Sequence, residues 1–156
     1  MAKLTDAIKD LILNPVKEGA WTAQLGWIAT VREDGAPNIG PKRSCRIYDD
    51  ATLIWNENTA GEIMKDIERG SKVAVAFANW DKLDGYRFVG TAEVHKEGKY
   101  YDEVVEWAKG KMGAPKAAIV SAISGYRVDK APTEAVIILA EPTPDAIASE
   151  YGWRGV

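Results

Sequence analysis

The chain has 156 residues, 46% of them hydrophobic and 28% charged, with a formal net charge of -3. That size suits one domain with its own core, and the mild acidity argues against DNA or RNA as the main partner. One cysteine, Cys45, excludes an intrachain disulfide, and one histidine, His95, excludes the multi-histidine clusters of catalytic zinc, so no metal centre is expected. The first ten residues, MAKLTDAIKD, lack the apolar core of a secretion signal, and no apolar run approaches the length of a bilayer span. A soluble, cytoplasmic protein is the expectation.

Leu4, Ile8, Leu11 and Ile12 recur at helical spacing and predict an N-terminal helix over residues 4–13, ended by Asn14-Pro15. Residues 15–24 read as a connector in which Trp21 is placed to cover a ligand or a neighbouring subunit. A first strand is expected over 26–31, followed by the hairpin signal Glu33-Asp34-Gly35. The second strand is expected over 36–48. Ideal alternation there puts Lys42, Ser44 and Arg46 on one face, with Ile39, Pro41, Arg43, Cys45 and Ile47 on the other. Pro41 marks an edge or a bulge, because proline cannot donate to a ladder.

Asp49-Asp50 turns the chain into a third strand over 52–55. Thr59-Ala60-Gly61-Glu62 then has the spacing of a capping box, with Thr59 as N-cap of a short helix whose apolar side is Ile63, Met64 and Ile67. Residues 72–78 form a central apolar strand. Residues 86–95 alternate, with Gly90 marking a bulge or a close approach. Tyr101, Val104, Val105 and Ala108 place a stripe on another helix. Residues 115–124 read equally as a short helix or an irregular crossing. A sixth strand is expected over 133–140, before a tail over 142–156. Strands in short antiparallel hairpins with inserted helices predict a small, mainly β, six-stranded antiparallel barrel rather than a doubly wound sheet.

The chemistry concentrates between residues 37 and 61. Lys42, Arg43, Ser44 and Arg46 stand where a buried strand would carry apolar groups, and Asn56-Glu57-Asn58-Thr59 leads into a helix start at Ala60 and Gly61. Charged donors, a hydroxyl and free helix amides together suit a phosphate-bearing ligand. The same residues also read as a solvated strand face, turn residues and a helix cap. Asparagine amides at 56 and 58 would pair with the polar edge of a heterocycle. Tryptophans at 21, 27, 55, 80, 107 and 153 serve a core, a dimer seam or a flat aromatic ligand. His95 reads as a strand residue rather than a catalyst and Cys45 as a small buried hydrophobe. No nucleophile elbow, P-loop or GxGxxG fingerprint occurs, and no catalytic side chain can be named.

The order of these features resembles the pyridoxamine 5'-phosphate oxidase-like family of FMN-binding split barrels. The resemblance covers roughly residues 20–141 and is carried by WIATVREDGAPNIGPK, DDATLIWNENTAGEIMKDIERGSKVAVAF and YRFVGTAEVH. It implies one split-barrel domain over 1–156 and a homodimer with FMN at the subunit interface. Carried onto this chain, it implies a phosphate site at Lys42, Arg43, Ser44, Asn58 and Thr59, with backbone amides of Ala60 and Gly61. Ile39, Gly40, Asn56 and Glu57 would lie toward the flavin ring, with Arg87 as a further contact and Trp21 and the tail reaching across the dimer. It implies a flavin reductase or electron-transfer flavoprotein, served by NAD(P)H or a redox protein. Alternatives on the same fold are a deazaflavin-dependent reductase and a non-catalytic flavin-binding or structural dimer. The arginine-rich carboxyl-terminal segment of the true oxidase has no counterpart beyond Trp153-Arg154, and His95 is badly placed for haem.

Overall fold

The computed structural model describes residues 4–13, 25–79 and 84–130. In chain order these form α1 (Asp6–Leu13), β1 (Gly26–Val31), β2 (Pro37–Lys42), β3 (Arg46–Asp49), β4 (Thr52–Glu57), α2 (Glu62–Glu68), β5 (Lys72–Asn79), β6 (Asp84–His95), α3 (Lys99–Ala108) and β7 (Ala117–Lys130). The seven strands make one sheet in the order β2-β1-β5-β6-β7-β4-β3, and every pairing is antiparallel.

The connection between β2 and β3 dictates the shape of this sheet. The two strands lie at opposite edges, yet only residues 43–45 separate them. A flat sheet of this width would hold its edges roughly 28 Å apart, while the four Cα steps from Lys42 to Arg46 reach about 14 Å. The sheet therefore curls until its edges approach, giving an open, split half-barrel. Residues 43–45 pass tightly over the start of β1: a Cβ at Gly26 would sit 2.7 Å from the Cys45 Cβ, so only glycine leaves room there. Cys45 is fully buried at this crossing.

This connection corrects the expected strand over 36–48 and the expected count of six. Lys42 pairs with Gly26 and Arg46 with Ile54, so the stretch is two strands belonging to different edges. The further strand is β7. Residues 115–124, which read equally as a short helix or an irregular crossing, mostly belong to it. The strand expected over 133–140, Trp21, Trp80, Trp153 and the tail lie outside the described residues.

The core fills the concave side. Ile28, Trp55, Val75, Phe77, Phe88, Ile119 and Ile123 pack there with Ile8 and Ile12 of α1 and Ile63, Met64 and Ile67 of α2. Phe77 and Phe88 meet edge-on with centroids 6.1 Å apart. On the other side of β4 and β7, α3 covers Ile54, Ala118 and Val120 with Val104. A polar lock fixes α2 to the sheet. The buried Asp66 carboxylate accepts from the Thr30 hydroxyl at 2.6 Å and the Asn38 amide at 3.0 Å, and pairs with Arg69.

Gly90 sits at a bulge between β6 and β7, as its place in the alternation predicts. Val89 lies opposite Gly125 and Gly90 opposite Ile123, which skips one residue of β7. Among the described residues no helix is long and apolar enough to cross a membrane.

Candidate functional site

The last residue of β4, Glu57, is the centre of the candidate site. Its main chain is fixed, in register with Ala117 and accepting from the Lys116 amide at 2.8 Å. Its side chain follows Leu53 and Trp55 toward the concave side and is fully buried. There its Oε2 accepts from Lys42 Nζ at 2.6 Å. Its Oε1 accepts from the Thr59 amide at 3.0 Å, the Thr59 hydroxyl at 2.7 Å and the Ala60 amide at 3.1 Å. Ala60 takes a left-handed φ of 51°, an uncommon and costly conformation for alanine, and this bends the loop around the carboxylate. The result is an oxyanion cradle of two amides, a hydroxyl and an ammonium.

Burial alone would raise the Glu57 carboxyl pKa, but Lys42 and Thr59 outweigh it and hold it below the usual carboxylate range. The Lys42–Glu57 pair also bridges β2 and β4, which are not neighbours in the sheet, and so ties the two sides of the split together.

Thr59 is not the helix cap that its spacing predicts. Gly61 occupies the N-cap without any side-chain cap bond, because the Thr59 hydroxyl is drawn back to Glu57. Asn58 is also committed, donating to the Gly113 carbonyl at 3.0 Å.

A second network lies on the other side of β4. Ser44 Oγ accepts from the Asn56 amide at 3.0 Å. Arg46 Nη1 donates to the Ser44 carbonyl at 2.9 Å and to Asn56 Oδ1 at 3.0 Å. Its Nη2 donates to Glu103 at 3.2 Å, and the guanidinium stands 4.4 Å from the Trp107 ring centroid. Asn56 Nδ2 donates to the Val104 carbonyl at 2.9 Å. These bonds attach α3 to β3 and β4. The shared face expected for Lys42, Ser44 and Arg46 therefore does not exist: the break at 43–45 sends Lys42 to the cradle and the other two to this network.

The remaining residues named from sequence lie along the sheet. Arg43 is exposed in the crossing. Ile39 is 66% exposed, whereas Gly40 faces α2, where an added Cβ would come within 2.9 Å of Ile63 Cδ1. Arg87 on β6 lies in register with Ala76 and is partly buried. Ile39 belongs to a wider feature that sequence reasoning missed. Trp27, Ala29 and Val31 of β1 stand in register with Pro41, Ile39 and Pro37 of β2, and Trp27 and Ala29 with Ala76 and Ala74 of β5. With Val89 beyond them, these residues make an apolar convex face, on which Trp27, Val31, Ile39 and Val89 are exposed. Its signal was β1 itself, where Ile28 serves the core while Trp27, Ala29 and Val31 are apolar on the opposite side.

Burial pushes the Cys45 thiol up to about 12, which leaves it inert. His95 packs against Tyr100 with centroids 4.8 Å apart, and its Nε2 lies 3.3 Å from Glu93. Among the described residues no group of three or more His, Cys, Asp or Glu could hold a metal ion.

Residues 4–138 match the family described as pyridoxamine 5'-phosphate oxidase. HupZ of Group A Streptococcus is similar in solved structure, with 45% identity, coverage of 85% of this chain and 97% of that one, and a TM-score of 0.71. The crystal structure of a putative pyridoxamine 5'-phosphate oxidase from Lactobacillus delbrueckii is 33% identical, covers 81% of this chain and 95% of that one, and superposes with a TM-score of 0.67. An uncharacterized protein of Methanocaldococcus jannaschii is 32% identical over 105 residues, 65% of this chain and 70% of that protein.

Proposed function

The chain belongs to the pyridoxamine 5'-phosphate oxidase family, and from that premise we propose that it is an FMN-binding flavoprotein of the flavin reductase or electron-transfer type. The observation that carries this reading is the oxyanion cradle where the ends of β2 and β4 meet across the split, formed by Lys42, Thr59 and the Ala60 amide. An anionic group already rests on its donors in the form of the Glu57 carboxylate, so their chemistry fits a phosphate oxygen. Lys42, Thr59 and the Ala60 amide would hold the phosphate, with Arg43 beside them in the crossing. The main chain at Ile39 and Gly40 would lie along the ring, and Arg87 would set the charge at the far side of the face.

A flavin held there would supply two-electron redox chemistry. The protein's part is to anchor the phosphate, exclude water from the ring with apolar side chains, and offer donors to its polar edge. No side chain needs to act as nucleophile, and NAD(P)H or a redox protein would serve as the electron source. We propose further that two copies meet through the convex face of β2, β1, β5 and β6, with the flavin at their interface. The exposure of Trp27, Val31, Ile39 and Val89 on one face supports that assembly.

Titration of the apoprotein with FMN and with riboflavin tests the phosphate assignment. Charge-assisted hydrogen bonds contribute about 1.5–3 kcal/mol each, so FMN is expected to bind at least about tenfold more tightly than riboflavin. Equal affinities would sink the assignment. A chromophore of larger mass retained by the purified protein would move the cofactor to the deazaflavin class.

A further inference from the structure

We propose that Glu57 is a built-in stand-in for the ligand's anion: its carboxylate keeps the cradle formed and is exchanged for an incoming phosphate group. The inference rests on the phosphate site proposed above and adds how that site is regulated. The donors are already spent. The Thr59 hydroxyl and the amides of Thr59 and Ala60 have one hydrogen each, and all three are directed at Glu57 Oε1. Lys42 alone has further hydrogens to give once it has paired with Oε2. A phosphate cannot take these donors while the carboxylate holds them, and two anions side by side in one cradle repel.

The geometry favours exchange over exclusion. The Glu57 backbone is held at Ala117 and by the Lys116 amide, so the exchange is a movement of the side chain alone and leaves the β4 pairing in place. Thr59 is exposed and Ala60 half-buried, which opens the cradle to an anion arriving over the loop. The left-handed Ala60 is unfavourable by itself. Its contact with Glu57 gives a reason for the loop to stay folded before any ligand arrives. The consequence is a measured affinity below the intrinsic one, because each binding event must first release the internal anion.

The test compares the wild-type protein with Glu57→Gln, using inorganic phosphate, FMN and riboflavin as probes. The Thr59 and Ala60 amide resonances report the cradle directly. In the wild type, phosphate and FMN should shift both amides. In Glu57→Gln the amide oxygen can still accept from the cradle but carries no charge, so it holds the donors more weakly and no longer repels an anion. The affinity for phosphate and for FMN should rise about tenfold, within the usual range of coupling between competing contacts, while riboflavin affinity stays unchanged. An FMN affinity that is unchanged or weaker in Glu57→Gln overturns the exchange, as do wild-type amides that stay still at saturating phosphate. If the variant does not fold, the wild-type amide shifts decide alone. Should phosphate bind and respond to Glu57→Gln while FMN does not bind, the flavin reading fails and the exchange stands. Should FMN outbind riboflavin with both amides unmoved, the flavin reading stands and the exchange fails.

Discussion

Replacing Gly90 by alanine provides a sharp test of the β6–β7 pairing. A Cβ at this position would lie 1.9 Å from the Ala122 carbonyl oxygen and 3.0 Å from its carbon. Both are backbone atoms, so no side chain can rotate aside, and the strands must part by at least about 1 Å to restore ordinary contact. Ala122 also lies in register with Thr52 of β4, so displacing it disturbs two ladders. Overpacking of this kind costs about 1–3 kcal/mol, and each ladder hydrogen bond weakened adds about 1 kcal/mol. The smaller unfolded-state entropy of alanine offsets less than about 1 kcal/mol. A net loss of about 3 kcal/mol is expected, or a fall in Tm of about 10 °C for a chain of this length. Urea unfolding followed by tryptophan fluorescence measures it, since Trp55 is fully buried. Gly113→Ala is the control: nothing lies within 4 Å of its Cβ position, so it should stay within about 0.5 kcal/mol of the wild type. A Gly90→Ala protein as stable as that control would refute the register assigned to β6 and β7.

Asp66→Asn should destabilise by about 2 kcal/mol, because a neutral acceptor replaces a charged one facing Thr30, Asn38 and Arg69. Burial by itself would raise the Asp66 carboxyl pKa, but the Thr30 and Asn38 bonds and the Arg69 charge hold it below its ordinary value. Its contribution is therefore full above the unfolded value of about 3.9 and is lost as pH falls through the lower folded value. The stability gap between wild type and variant should shrink from pH 7 to pH 3, and a constant gap would show that the charge of Asp66 carries none of it. Ile39→Asp tests the convex face. Ile39 is 66% exposed, so the monomer should lose less than about 0.5 kcal/mol, while the dimer proposed above should sediment as a monomer. An unchanged oligomeric mass would remove this face as the interface.

How far the sequence could be read follows from where each segment finds its partners. β6 alternates between a buried and a more exposed face, and period two reveals it, whereas β5 was legible as an unbroken apolar run and β1 from its place before the hairpin signal at 33–35. Gly90 and Pro41 announced a bulge and an edge because each lacks a group that regular pairing requires. The stretch at 36–48 misled because alternation assumes one continuous strand, whereas Lys42 pairs with Gly26 and Arg46 with Ile54. No local signal marks the change of partner. The start of β7 hid for another reason: residues 117–121 are buried on both faces, between the concave-side core and α3, so they show no alternation. At the site, Lys42, Glu57, Thr59 and Ala60 were all named, but as independent contacts for a ligand. That Glu57 would gather the other three about itself depends on a loop conformation at Ala60 that sequence patterns do not encode.

The prolines of β2 also govern how copies of this chain can grow. Among the described strands β2 pairs with β1 alone, and Pro37, Ile39 and Pro41 send their backbone nitrogens to the same side of the strand. Two of those three nitrogens carry no hydrogen, a state that sheets tolerate on an open margin. The opposite margin, β3, has four residues and a register break between Ile47 and Asp49. Neither margin is a good template for another strand. Strand-by-strand addition, which has no natural end and leads to fibres, is thus disfavoured at both margins of the described sheet. A face-to-face contact about a twofold axis consumes the same patch on each partner and is complete at two copies.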